Sequence, residues 1–278
     1  MSKDKEPILL LAFDEHKVMM QRVTIDEARR VINVGSSSSI TNTTSLRDKA
    51  MIERAIQKKR IVARVAPERA RTVYAEIELP RRESAPVSID EAELERMITN
   101  SIWKLFESER SAVAAALEIP EGETVIVDVH IWEIAINGQT VMNPLTLASG
   151  DAVVTLSATF MRESAWQTMQ RVFGDAFAFI VEFDSSLAYH TSKQYIEEAL
   201  IAIVGERRTA LYRKDGRRFC YHDGFPWGME RLGNEVRNAC GVNEEIVAYV
   251  LDTYKRGGGN ALMRSVIDRA IHGETQLL

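Results

Sequence analysis

The chain has 278 residues, 45% of them hydrophobic and 27% charged, with a formal net charge of −5. That balance matches soluble globular proteins and excludes disorder and fibrous repeats, and the acidic excess removes any global attraction to nucleic acid or anionic lipid. Two cysteines, Cys220 and Cys240, are too few for a disulfide framework or a four-ligand metal site, which fits a reducing compartment.

The length allows one large domain or two ordinary ones. The first apolar run, Ile8–Phe13, is too short for a signal-peptide core and reads as the buried first strand of a cytosolic protein. Val18–Ile25 and Arg30–Gly35 continue it as an antiparallel meander around the charged turn "DEHK". "SSSSITNTTS" then reads as a loop, with Ser45 capping a helix from Leu46 whose apolar stripe includes Met51, Ile52, Ala55, Ile56, Ile61 and Val62.

Thr72–Leu79 alternates with period two and predicts a strand that Pro80 ends. Ser88 and Glu91 stand at capping-box spacing before Leu94, Met97, Ile98, Ile102 and Leu105, predicting a long amphipathic helix broken near Glu107–Ser111. Strands follow in "TVIVDVHIWEIAING", "QTVMNPLTLASG" and "AVVTLSATFM", with Gly138 and Gly150 at turns. A helix over "ESAWQTMQRVFG", a strand over "AFAFIVEF" and a helix over "SLAYHTSKQY" come next.

The segment "ALIAIVGERRTALYRKDGRRF" then turns at Gly205 and again at Asp215-Gly216, as a hairpin does. "CYHDGFPWG" reads as a loop before a helix carrying Met229, Leu232, Val236 and Ala239. Two further helices, Glu244–Tyr254 and Ala261–Ile271, are separated by "KRGGGN". The exchange of strands and helices argues for layered sheets covered by helices, without an internal repeat.

Three of these stretches, in order, resemble the FtsA and PilM branch of the actin-like ATPase superfamily. The first is the meander "LLLAFDEHKVMMQRVTIDEARRVINVGSSSSI", where that family has glycine and hydroxyl turns. The second, "EIAINGQTVMNPLTLASGDAVVTLSATFM", is similar to the end of the inserted SHS2 subdomain. The third is the Gly205 hairpin, where the family has a glycine-rich phosphate loop; matching on Asp215-Gly216 sets Ala202 and Thr209 at its two aspartates and Gly205 and Glu206 at two of its glycines.

The resemblance implies a mixed α/β fold of actin-like, ribonuclease H-like sheets. It places the first subdomain at 1–80 plus 162–190, an SHS2-like insert at 81–161, and a partial second subdomain at 191–278. It implies a cytoplasmic scaffold in cell division, peripheral at the inner face of the membrane, that acts through protein contacts and self-association. The alternatives are a PilM-like pilus-assembly protein and a working ATPase. ATP with magnesium would be the cofactor pair, and Asp14, Lys17, Gly205, Glu206, Arg207 and Thr209 the nucleotide-binding positions.

The chemistry of those positions argues against retention. Phosphate-loop glycines let backbone N–H groups approach an anion closely, and a side chain obstructs that. Glu206 adds negative charge, at a cost of ~1 kcal/mol at surface dielectric. Arg207 and Arg208 would offset it, but strand alternation turns them to opposite faces. "FDEHK" holds neither glycine nor hydroxyl residue, leaving Asp14 as a stand-in for a metal-facing aspartate and Lys17 for a phosphate contact. The chain therefore reads as a degenerate ATPase rather than an enzyme.

Other constellations are weaker. Asp128, His130 and Trp132 share a strand face, but no second His or Cys has ligand spacing, so His130 reads as a strand histidine. Cys220 and His222 are two apart, and chance proximity accounts for them. "RGGGN" lacks the Lys-Ser/Thr ending of a P-loop and reads as a turn between helices. The terminal helix, with Leu262, Val266 and Ala270 on one stripe, reads as core-packing rather than as a membrane-surface helix.

Overall fold

The computed structural model describes residues 6–13, 18–25, 31–40, 60–79, 90–141, 152–174, 177–195 and 197–275. Asp14, Lys17, Ser45, Ser88 and the helix expected from Leu46 fall outside these residues. The fold is mixed α/β and divides into two compact units, Met1–Ala199 with Arg213–Tyr221, and Leu200–Tyr212 with His222–Leu278.

The first unit holds a five-stranded sheet in the order β3-β2-β1-β4-β9. Strand β1 (Glu6–Phe13) runs antiparallel to β2 (Val18–Ile25), which pairs antiparallel with β3 (Val31–Ile40). On its other side β1 lies parallel to β4 (Arg60–Val65), and β4 parallel to β9 (Phe177–Glu182). The continuous apolar run of β1 suits this central place, because Leu9 and Leu11 are buried together with Ile61, Ala63, Ile180 and Phe173. An irregularity between Gln21 and Val23 lets Met20 and Val23, three residues apart, both point inward.

Two local expectations are corrected here. Ile61 and Val62 belong to β4, not to a helix, because a short apolar run fits either period and the parallel pairing with β1 and β9 decides it. The serines Ser36–Ser39 are not a loop but the exposed second half of β3, a terminal strand that pairs on one side and leaves its hydroxyls in water.

Between β4 and β9 the chain builds a second sheet. Strands β5 (Ala70–Leu79), β6 (Thr124–Ile136), β7 (Gln139–Thr140) and β8 (Ala152–Arg162) are antiparallel in the order β5-β8-β6-β7. Helix α1 (Glu91–Ala116) covers it, burying Met97, Leu105 and Val113 against Val154, Leu156, Ala158 and Phe160. Asp90 caps α1 by accepting from the Glu93 N–H at 2.7 Å. The expected break near Glu107–Ser111 does not occur: Ser108 turns its hydroxyl onto the Leu105 carbonyl, and Glu109 is buried in an ion pair with Arg218. Helix α2 (Glu163–Phe173) then leads back to β9.

Buried hydrogen bonds tie the two sheets. The Thr72 N–H donates to the Glu182 carboxylate at 2.9 Å, and the Glu182 N–H returns to the Thr72 hydroxyl at 2.8 Å. Thr159 donates to the Ile180 carbonyl at 2.8 Å. Helix α3 (Ser185–Ser192) follows β9, with Ser185 donating to the Glu182 carbonyl at 3.0 Å.

The meander β10 (Glu198–Val204), β11 (Thr209–Asp215) and β12 (Arg218–Phe225) comes next. The reading of "CYHDGF" as a loop is corrected: these residues continue β12, which runs to Phe225 and pairs at its start, through Arg218 and Phe219, with Ala75 and Tyr74 of β5. In the second unit α4 (Met229–Cys240), α5 (Glu244–Lys255) and α6 (Ala261–Thr275) share a small core of Leu232, Val236, Val250 and Ile267. Gly257 (φ 76°) and Gly259 (φ 87°) make the turn between α5 and α6. The buried stripe of α6 runs through Ile267, Met263 and Ala270, while Leu262 stays exposed.

Candidate functional site

The turn at Gly205 and the start of α4 form one interlocked feature of the second unit. Gly205 closes the turn by donating its N–H to the Arg208 carbonyl at 2.9 Å. Past β12, Trp227 and Gly228 bring the chain to α4, and Gly228 is the point of closest approach. A Cβ there would sit 2.5 Å from the Glu206 carbonyl oxygen and 2.7 Å from that of Gly205.

These carbonyl oxygens meet the first N–H groups of α4. Met229 N donates to the Gly205 oxygen at 3.0 Å and Glu230 N to the Glu206 oxygen at 2.8 Å. They satisfy donors that a helix start otherwise leaves open, and they set partial negative charge against the positive end of the helix dipole. The same two features, free N–H groups and the dipole, make helix starts bind anions. At α4 the turn's own oxygens engage two of those donors.

Each expected position in the turn has a local partner. Thr209 is buried, its hydroxyl donating to the Trp227 carbonyl at 2.9 Å. Arg207 Nε donates to the Glu230 carboxylate at 3.0 Å across an exposed surface, where such a pair contributes at most about 1 kcal/mol. Gly205 and Glu206 hold α4 through their backbone. The structure thus brings Gly205, Glu206, Arg207 and Thr209 together at one helix start. Sequence reasoning missed Gly228, whose sign was a lone glycine just ahead of an amphipathic run.

The strand constellation around Asp128 is a packing feature. Asp128 accepts the Ile180 N–H at 2.9 Å, and Trp132 donates Nε1–H to Ser157 at 3.0 Å. His130 packs edge-on against Trp132, centroids 4.5 Å apart, and against Phe179 at 5.3 Å. No group of three metal-binding side chains occurs among the described residues. Burial pushes the Asp128 carboxyl above its ordinary 3.8, partly offset by the Ile180 N–H and by His130.

Folded Asp128 therefore holds its proton above pH 3.8, where the unfolded chain has lost it, and its contribution to stability falls as pH rises through that window. Denaturant titrations across that range are expected to show wild-type stability declining relative to Asp128→Asn. Parallel curves would contradict it. Burial also pushes the Cys220 thiol up, against the pull of Arg218, so it is not an activated thiolate.

No family model matches the chain, and no curated protein matches it. Among solved structures it is similar to a chain of the PilM-PilN type IV pilus biogenesis complex, at 13% identity and TM-score 0.39, covering 97% of this chain and 74% of that one. A Bacteroides thetaiotaomicron protein with an actin-like ATPase fold is similar at 12% identity and TM-score 0.37, with 87% and 79% covered. The cytoplasmic domain of EpsL, an inner membrane component of the Vibrio cholerae type II secretion system, is similar at 14% identity and TM-score 0.33, with 83% and 75% covered. No helix among the described residues is long and apolar enough to cross a membrane.

Proposed function

We propose that this chain is an actin-like scaffold of the FtsA/PilM type, acting by protein contacts on the cytoplasmic side of a division or pilus-assembly complex, with weak or lost ATP binding. The observation that carries the reading is the seating of the Gly205–Glu206 carbonyls on the α4 N-terminus. In this reading the 81–161 segment is an SHS2-like insert, 1–80 with 162–190 the first subdomain and 191–278 part of the second. Helix α1 packed on the antiparallel pair β6 and β8 supports the insert.

Titration with a fluorescent ATP analogue, with and without magnesium, tests the nucleotide half. No micromolar, magnesium-dependent binding is expected, and Glu206→Gly alone is not expected to restore it, because removing a side chain leaves the Glu206 carbonyl on α4. Micromolar binding by the unaltered protein would replace the scaffold with a working ATPase that uses Asp14 and Lys17.

Self-association tests the contact half. Trp103 stands 61% exposed on α1, edge-on to Phe106 at 5.8 Å, and tryptophan is the residue type that most often anchors interfaces. Sedimentation velocity is expected to show concentration-dependent association that Trp103→Ala weakens about tenfold or more. A strict monomer at high concentration would count against self-assembly through the insert.

A further inference from the structure

The first unit contains a cleft of about 250 Å³ that the scaffold reading does not use. Its wall is aromatic: Tyr74 and Tyr189 stack with centroids 4.1 Å apart and planes 12° from parallel, and Phe219 meets both rings at 5.9 and 5.7 Å. Lys193, Lys214, Arg217 and Arg218 also line it, against one lining carboxylate, Glu76. This cationic lining occurs in a chain whose net charge is −5.

The arginines and the lysines differ in what they face. Arg217 pairs with Glu78, and Arg218 pairs with Glu109, so both guanidinium charges are balanced locally. Lys214 donates to the Tyr195 backbone carbonyl at 2.6 Å, an acceptor that fixes the ammonium without neutralising it. Lys193 lies 5.1 Å from the centroid of the Tyr189 ring, a cation–π contact that likewise leaves the charge in place. Neither lysine has a carboxylate partner among the described residues.

We propose that this cleft binds a small phosphate-bearing anion, held by the Lys193 and Lys214 ammonium groups with its body against the Tyr74–Tyr189 pair. Two compact ammonium charges carry no planar fork that would select a carboxylate, and they suit the several oxygens of a tetrahedral dianion. Tyr74 and Tyr189 are 1% and 8% exposed, with ring faces taken by each other, by Trp132 and by Lys193, so the pair lends the cleft a narrow apolar rim, which favours an organic phosphate over the bare ion by a small margin. Burial pushes both phenols up to about 12, so they stay neutral and do not repel an anion at physiological pH. The site includes none of residues 205–209 and does not depend on the scaffold reading.

The test is calorimetric titration of the full chain with phenyl phosphate, inorganic phosphate and benzoate at low salt. Saturable binding of phenyl phosphate is expected, with inorganic phosphate weaker and benzoate weakest. Lys193→Gln is expected to weaken phenyl phosphate binding about fivefold, the scale of one lost charge contact near a surface. Lys193 is exposed and its side chain makes no hydrogen bond among the described residues, so this variant spares the fold. Lys214→Gln, checked for folding by circular dichroism, should weaken it by at least as much, while Arg207→Ala leaves it unchanged. Tighter binding of inorganic phosphate than of phenyl phosphate would overturn the proposed seating against the tyrosine pair. Absence of saturation at millimolar ligand, equal binding of benzoate, or unchanged affinity in both lysine variants would overturn the proposal.

Discussion

Gly228→Ala is expected to destabilise the second unit by about 2–4 kcal/mol, because the added methyl meets backbone rather than a side chain that can swing away. Its Cβ would stand 2.5–2.7 Å from atoms of Gly205 and Glu206. The turn must then lift from α4, and the hydrogen bonds from Met229 and Glu230 lengthen or break. Thermal melting should show a fall of roughly 5–15 °C for that change. Gly233 supplies the control: it lies inside α4, and a Cβ there meets nothing nearer than Val247 Cγ1 at 3.5 Å. Gly233→Ala is expected to be neutral or to stabilise by up to about 1 kcal/mol through helix propensity. Equal tolerance of both substitutions would show that the turn does not seat on the helix as described, and would reopen the α4 start to an anion.

Phe160→Ala is expected to cost about 3–5 kcal/mol, the range for truncating a fully buried aromatic. Phe160 is 0% exposed on β8, and its ring lies parallel to that of Phe106 on α1, 6.2 Å between centroids. The lost ring opens a cavity where α1 meets the sheet, and neighbouring side chains on regular elements relax into it only in part. Phe160→Leu should recover more than half of the loss, as a closer match in volume. Chemical denaturation measures both, and a loss under 1 kcal/mol for the alanine variant would mean that α1 does not pack on β8 as described.

The elements legible from the sequence are those whose own side chains carry a full signal. The buried run of β1, the alternation of β5 and the apolar stripes of α1 and α4 repeat often enough to name both type and extent. The turn glycines between α5 and α6 were legible too, since positive φ is readily open to little else. Signals were lost where a neighbour in space overrode local preference. Ser36–Ser39 extend because β2 lends them partners, and Glu107–Ser111 stay helical because Glu109 finds Arg218, 109 residues away in sequence.

For the candidate site the division follows the same physics. From Glu206 standing where the resembled phosphate loop has a glycine, the sequence by itself led to the expectation that the Gly205 turn is a poor phosphate cradle. Only the tertiary structure decided what the turn does instead: its carbonyls complete the start of α4, a role set by backbone atoms that no side-chain pattern encodes. The cleft of the first unit is of the same kind. Tyr74 lies on β5, Tyr189 and Lys193 on α3 and its C-cap, and Lys214 on β11, so only the strand order β11-β12-β5 and the packing of α3 bring their rings and ammonium groups to one place. Local propensity reaches a few residues along the chain, whereas a binding surface is assembled from residues scores apart, and that assembly is fixed by packing.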